Sequence, residues 1–214
     1  MGDEQKIRDV YDWLMERYGP APEPSDISGV DYVIETILSQ NTNDINRDKA
    51  FKQLKERYGD DHEAVENAPR EELIDTIRIA GLGPTKAERI QEALRIIREE
   101  AGDYSIDFLE DYGIEEAKDW LTAIPGIGPK TAAVILCFYF RLPVFPVDTH
   151  VHRLARRYHL VPENASRKKT HEILEEKVPD DIKYQFHRLL IEHGRAECTA
   201  RKKDCECELC QRYG

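Results

Sequence analysis

One pattern occurs twice in this chain and constrains its fold more tightly than any other feature. Ile77-Arg78-Ile79-Ala80-Gly81-Leu82-Gly83-Pro84-Thr85-Lys86-Ala87-Glu88-Arg89-Ile90 matches Leu121-Thr122-Ala123-Ile124-Pro125-Gly126-Ile127-Gly128-Pro129-Lys130-Thr131-Ala132-Ala133-Val134-Ile135 through glycine, apolar residue, glycine, proline, then alanine and a distal isoleucine. Each copy reads as helix, tight glycine turn, helix. The proline suits the first turn of the second helix, where its missing N–H has no helical partner to lose.

The rest of the periodicity agrees. Ile7, Val10, Tyr11, Leu14 and Tyr18 recur at helical spacing and stop at Gly19-Pro20. Residues 20–26 are a proline-rich linker, and Tyr32 to Ser39 reads as a buried helix. Asn43 or Asp44 can cap another helix that runs to Tyr58, and Ile90, Leu94 and Ile97 mark a long one ending before Gly102. The nearest approach to a strand, Leu142 to Val147, carries two prolines and is an extended connector. The expected class is all-α, with about ten helices.

An apolar share of 40 % in 214 residues can build one large domain or two small ones without disulfide staples. No apolar run approaches the roughly 20 residues of a membrane span, and the start Met1-Gly2-Asp3-Glu4-Gln5-Lys6 has no secretory pattern. The expected location is cytoplasmic, nucleoid-associated in a prokaryote.

A net charge of −11 argues against a nucleic-acid partner, but its distribution reverses that reading. Residues 1–127 hold 15 basic and 30 acidic side chains, whereas residues 128–214 hold 16 and 12. Between 128 and 159, Lys130, Arg141, Arg153, Arg156 and Arg157 face Asp148 as the sole acid. The basic surface coincides with the second glycine turn, as phosphate contact requires.

That turn offers a particular chemistry. Its glycines allow backbone shapes closed to other residues, and the helix starting near Pro129 supplies amides and a positive dipole end, together an anion cradle. A Walker loop would need Gly-Lys-Thr after a strand, and a dinucleotide fingerprint a third glycine in a βαβ unit. Neither is present. A purely structural helical turn is the alternative. Lys130 falls in the first turn of the helix, where the dipole should lower its pKa and make a neutral amine more available; a phosphate contact is the ordinary role of such a lysine, and Asp148, eighteen residues on, is what raises the nucleophile reading. Asp148, in Val147-Asp148-Thr149-His150, is placed to cap a helix through Val151 and Leu154, which would keep its carboxylate ionised for a second role.

Cys137 lies in the apolar run Val134 to Phe138 and reads as a buried, inert thiol. Cys198, Cys205, Cys207 and Cys210, spaced C-x6-C-x-C-x2-C, instead signal a metal site. Arg195, Arg201, Lys202 and Lys203 border them and can meet a DNA backbone.

Taken together, the Pro-Gly-x-Gly-x-Lys-Thr-Ala hairpin, Val-Asp-Thr-His, the C-terminal cysteines, Leu38 to Asp44 and Gly81-Leu82-Gly83 resemble the endonuclease III family of helix-hairpin-helix DNA glycosylases. The resemblance spans essentially the whole chain. It implies a two-lobed fold: a six-helix barrel over 24–136, and a second lobe from 1–23 and 137–214 carrying the cysteine loop 198–210. It also implies a monomer that binds damaged or abasic double-stranded DNA in the cleft between the lobes. The target nucleotide is flipped out because its sugar carbon is unreachable within the duplex. Gln40 and Asn41 would fill the vacated space, Leu82 would wedge against the opposite strand, and Gly126, Gly128, Thr131 and His150 would bind DNA. Lys130 and Asp148 would be catalytic in a bifunctional glycosylase and lyase for oxidised pyrimidines. A relative lacking the lysine would only release the base. A monofunctional uracil or thymine mismatch glycosylase and a non-catalytic, redox-sensing DNA-binding module are the alternatives. The family's cysteines, spaced C-x6-C-x2-C-x5-C, hold a [4Fe-4S] cluster; only the first interval is kept here, which leaves zinc as an alternative.

Overall fold

Twelve α-helices and three short 3-10 segments, with no strand, occur among the described residues. The structure is a computed structural model that describes residues 3–23, 26–202 and 205–214, Asp3 by its backbone alone. Met1 and Gly2 of the N-terminus, Pro24 and Ser25 of the linker and Lys203 of the basic border lie outside these residues. In chain order the helices are α1 (Asp3–Tyr18), α2 (Gly29–Leu38), α3 (Asp44–Tyr58), α4 (His62–Glu66), α5 (Arg70–Ile77), α6 (Gly83–Ala101), α7 (Ile114–Ala123), α8 (Pro129–Phe138), α9 (Thr149–Arg157), α10 (Arg167–Lys177), α11 (Lys183–Ala196) and α12 (Glu208–Tyr213). The number exceeds the sequence expectation chiefly because α4 and α12 are too short for apolar periodicity to register.

The chain divides into two compact units, Met1–Pro24 with Leu136–Gly214, and Ser25–Ile135. In the Ser25–Ile135 unit, α2 packs on α3 and α6, and α5 on α3 and α6. Val30, Val33, Ile37, Leu54, Leu73, Ile77, Ile90, Leu94 and Ile97 are buried there. Each such side chain contributes about 1.5–3 kcal/mol of transfer free energy. Side-chain caps start the helices: Asn43 Oδ1 accepts from the Asn46 amide at 2.9 Å, where expected, and Ser28 Oγ accepts from that of Asp31 at 3.1 Å, starting α2 ahead of the expected Tyr32.

Asp31, buried, joins three elements of this unit. It accepts a hydrogen bond from Lys55 Nζ at 2.9 Å through Oδ2, and His62 Nε2 lies 3.0 Å from Oδ1. Burial acts to raise its pKa, but the bonds to His62 and Lys55 outweigh it and hold the carboxyl below its ordinary value. A depressed folded value means that the stabilisation is complete above the unfolded pKa, about 3.9, and is lost as pH falls through the folded value. Asp31→Asn is therefore expected to lower unfolding free energy at pH 7 by about 1–3 kcal/mol. Urea melts should show the difference from wild type shrinking below about pH 3.9.

In the other unit, Ile7, Val10 and Leu14 of α1 form one core with Val151 and Leu154 of α9 and with Phe186, Leu189 and Leu190 of α11. The linker start is held in place, since Gln185 Oε1 accepts from the Ala21 amide at 2.7 Å. Cys137 is 1 % exposed, and burial pushes its thiol up to about 12, the inert state expected of it.

Candidate functional site

The two glycine turns are both built as helix, turn, helix, but their lysines part company. In the first, the chain turns at Gly81 (φ 71) and at Leu82, itself left-handed (φ 52) and 56 % exposed. Lys86, one position later in the register than Lys130, points inward. It is 1 % exposed and donates to Leu38 O and Ala80 O, both at 2.8 Å. Its burial lowers its pKa. This lysine pins the end of α2 to the turn that displays Leu82.

In the second turn, Lys130 is exposed in the opening turn of α8, which starts at Pro129 as the sequence expects. The Ala132 amide donates to Gly128 O at 2.9 Å and closes that turn. The first amides of a helix have no acceptor within it, so the turn presents donors next to the lysine. Gly126 alone of its two glycines has positive φ (90), and a Cβ there would meet Arg89 Cδ at 2.5 Å. A Cβ on Gly128 would meet nothing within 4 Å. A bare Gly128 is thus required by nothing inside the protein and leaves room for an approaching ligand. Thr131 is half-buried beside it.

Gln40 and Asn41, a pair in the sequence, differ in their surroundings. Gln40 Nε2 donates to Gly126 O at 2.8 Å, and its Oε1 accepts from Arg89 Nη1 at 2.6 Å. Asn41 is exposed with φ 53. Arg89 was not singled out by sequence reasoning, because its packing under Gly126 is a tertiary contact. Ile45 was also missed, although at 67 % exposure it is the most exposed large apolar side chain among the described residues.

In the other unit, Asp148 caps α9: Oδ1 accepts from the Val151 amide at 2.8 Å. Farther along α9, Arg153 Nη2 donates to Gly194 O and Cys198 O, each at 2.9 Å. His150 Nδ1 lies 3.3 Å from the same nitrogen, so its ring is directed toward α11. A Cβ on Gly194 would come within 3.0 Å of both side chains.

The four cysteines expected to hold a metal converge. Cys198 follows α11, Cys207 caps α12, and Cys210 lies one turn into it, three residues from Cys207 and so on the same helix face. Their sulfurs and that of Cys205 all lie within 4.8 Å of one another, a group with only thiol donors that fits a metal site. Arg157 Nη1 donates to Cys198 Sγ at 3.0 Å, and His193 Nε2 lies 3.6 Å from Cys207 Sγ. Arg195, Arg201 and Lys202 are exposed. A cavity of about 550 Å³ lined by Arg153, Arg156, Arg157, Cys205 and Cys210 adds cations that sequence reasoning had counted but not placed beside the metal loop.

These features coincide with a known family. Residues 34–180 match the HhH-GPD superfamily of base excision DNA repair proteins, and the chain belongs to it. An Arabidopsis thaliana protein named as a DNA glycosylase is 36 % identical over 184 residues, 85 % of this chain; the chain spans about 61 % of that relative's length. Endonuclease III of Sulfolobus acidocaldarius is 35 % identical over 175 residues, covering 81 % of this chain and 76 % of that protein. A solved non-covalent complex of endonuclease III with DNA superposes with a TM-score of 0.82 at 27 % identity, over 99 % of this chain and 95 % of the other. Among the described residues no helix is long and apolar enough to cross a membrane.

Proposed function

We propose that this protein is a bifunctional DNA glycosylase and abasic-site lyase that acts as a monomer on oxidised pyrimidines in duplex DNA, in the cytoplasm or on a nucleoid. The observation that carries this reading is an exposed lysine in the first turn of α8, after a glycine turn whose second glycine has open space around it. Phosphate would bind the amides of that turn, including those of Gly126, Gly128 and Thr131. Gln40 and Asn41 would fill the space left by the flipped nucleotide, and Leu82, displayed like Asn41 at a left-handed turn, would wedge against the opposite strand. The bonds of Gln40 to Gly126 and Arg89 would steady that segment, and His150 would bind DNA near the helix start that Asp148 caps.

Lys130 attacks C1′ of the flipped nucleotide as a neutral amine and forms a C–N bond as the glycosidic bond breaks. The base departs with the bonding electrons and takes up a proton. The sugar ring opens to a protonated Schiff base, loss of a proton from C2′ then expels the 3′ phosphate, and water releases the lysine. Asp148 stabilises the cationic sugar through its carboxylate, which the cap keeps oriented. The thiol group would hold a metal: a [4Fe-4S] cluster by family resemblance, or zinc, both of which accept four cysteines.

Incubation with a duplex containing one abasic site in the presence of borohydride tests the lyase. The expected result is a covalent protein–DNA adduct resistant to denaturation, with adducts also forming on duplexes that carry an oxidised pyrimidine. Absence of an adduct would refute the lyase step, and base release without nicking would mark a monofunctional enzyme.

A further inference from the structure

The arginines of the Ser25–Ile135 unit share one habit, with a single exception. Arg47, Arg57, Arg70, Arg78, Arg95 and Arg98 each pair with a carboxylate, as an acidic stretch of chain allows. Among the described residues Arg89 pairs with no carboxylate. Its Nη1 donates instead to a neutral amide oxygen, Gln40 Oε1, at 2.6 Å.

That amide is bonded at its other end to the second glycine turn, where Gln40 Nε2 donates to Gly126 O at 2.8 Å. A guanidinium only donates, so its presence at Oε1 fixes the sense of the amide and directs the nitrogen at the turn. The turn is closed by the Ile127 amide, which donates to Ile124 O at 3.0 Å, and Pro125 with the positive φ of Gly126 gives it type II geometry. The stem of Arg89 lies against the same glycine, since a Cβ there would meet Arg89 Cδ at 2.5 Å and Nε at 2.8 Å. Arg89 thus meets the turn twice, by packing and through Gln40. Lys86, three residues earlier on the same face of α6, holds Leu38 O. Between them the two cations grip the segment from Leu38 to Gln40 and set it against the turn that leads into Lys130.

We propose that Arg89 is a positioning residue: acting through Gln40, it keeps the segment that carries Asn41 and the turn that leads into Lys130 in one register, a role that rests on the glycosylase reading above. Arg89 itself meets neither the reacting atoms nor the DNA backbone.

Three variants of the full chain test this. Arg89→Met keeps the stem over Gly126 and removes the donors, Arg89→Lys restores a cation, and Gln40→Leu removes the amide. Single-turnover base release by Arg89→Met should fall about 10-fold, the worth of one charge-assisted hydrogen bond, and lysine should recover most of the loss. Added to Gln40→Leu, Arg89→Met should cost at most about 2-fold more, because the two side chains act as a unit. Binding of undamaged duplex and its slope against salt should match wild type. In the free protein, hydrogen exchange should rise at residues 39–43 and 124–130 of Arg89→Met and stay unchanged in the rest of the chain. A full rate in Arg89→Met, additive losses, or a lysine variant no better than methionine would overturn the proposal. So would a salt slope lower by about one, the mark of a direct phosphate contact, or exchange that rises throughout the unit. Exchange is read without DNA, so a wild-type protein that formed no borohydride adduct would defeat the glycosylase reading while the clamp is judged on its own.

Discussion

Lys130→Ala is expected to abolish the borohydride-trapped adduct and slow base release by at least about 10³-fold, because removal of a covalent nucleophile eliminates the step it carries. Lys130 is exposed, so the variant should retain the wild-type melting temperature and helical circular dichroism. Gel analysis of trapped adducts, with single-turnover release from an oxidised-pyrimidine duplex, provides the measurement. An adduct that persists in the variant would remove Lys130 from the chemistry. Affinity for an abasic duplex should fall much less than the rate, since the neighbouring amides remain.

Asp148→Asn separates the observed cap from the proposed catalytic role of the same side chain. Asparagine caps a helix about as well as aspartate, so the bond to the Val151 amide should survive and stability should change by no more than a few tenths of a kcal/mol. The carboxylate charge is lost, and with it the stabilisation of a developing sugar cation. A fall of about 10²–10³-fold in the single-turnover rate is expected, at nearly unchanged melting temperature. Asp148→Ala should add a stability loss of about 1 kcal/mol. If Asp148→Asn retained the full rate, the residue would be a cap and nothing more.

Much of this could be read from the sequence because it is local. Capping by Asn43 and Asp148, the start of α8 at Pro129 and the exposure of Leu82 depend on a few neighbouring residues, and each is found as expected. What the sequence hid is tertiary. Lys86 and Lys130 follow nearly identical turns, yet one position in helical register turns the first into the interior and leaves the second exposed. Arg153 and Arg157 look in the sequence like members of a surface basic run. Their guanidiniums instead hold backbone and sulfur atoms of the metal loop, contacts that span about forty residues of chain and leave no local trace. The metal-ligand group is likewise a matter of distance, since only folding brings the four sulfurs together.

The hydrogen bonds of Gln40 bear on how Asn41 meets a partner. A side chain whose two polar ends are already engaged, at Gly126 and Arg89, can leave only by giving up about 1 kcal/mol for each bond. The segment is therefore rigid on one side of Asn41 before any DNA arrives. The conformational entropy of that loop is lost when the chain folds, and binding need not supply it again.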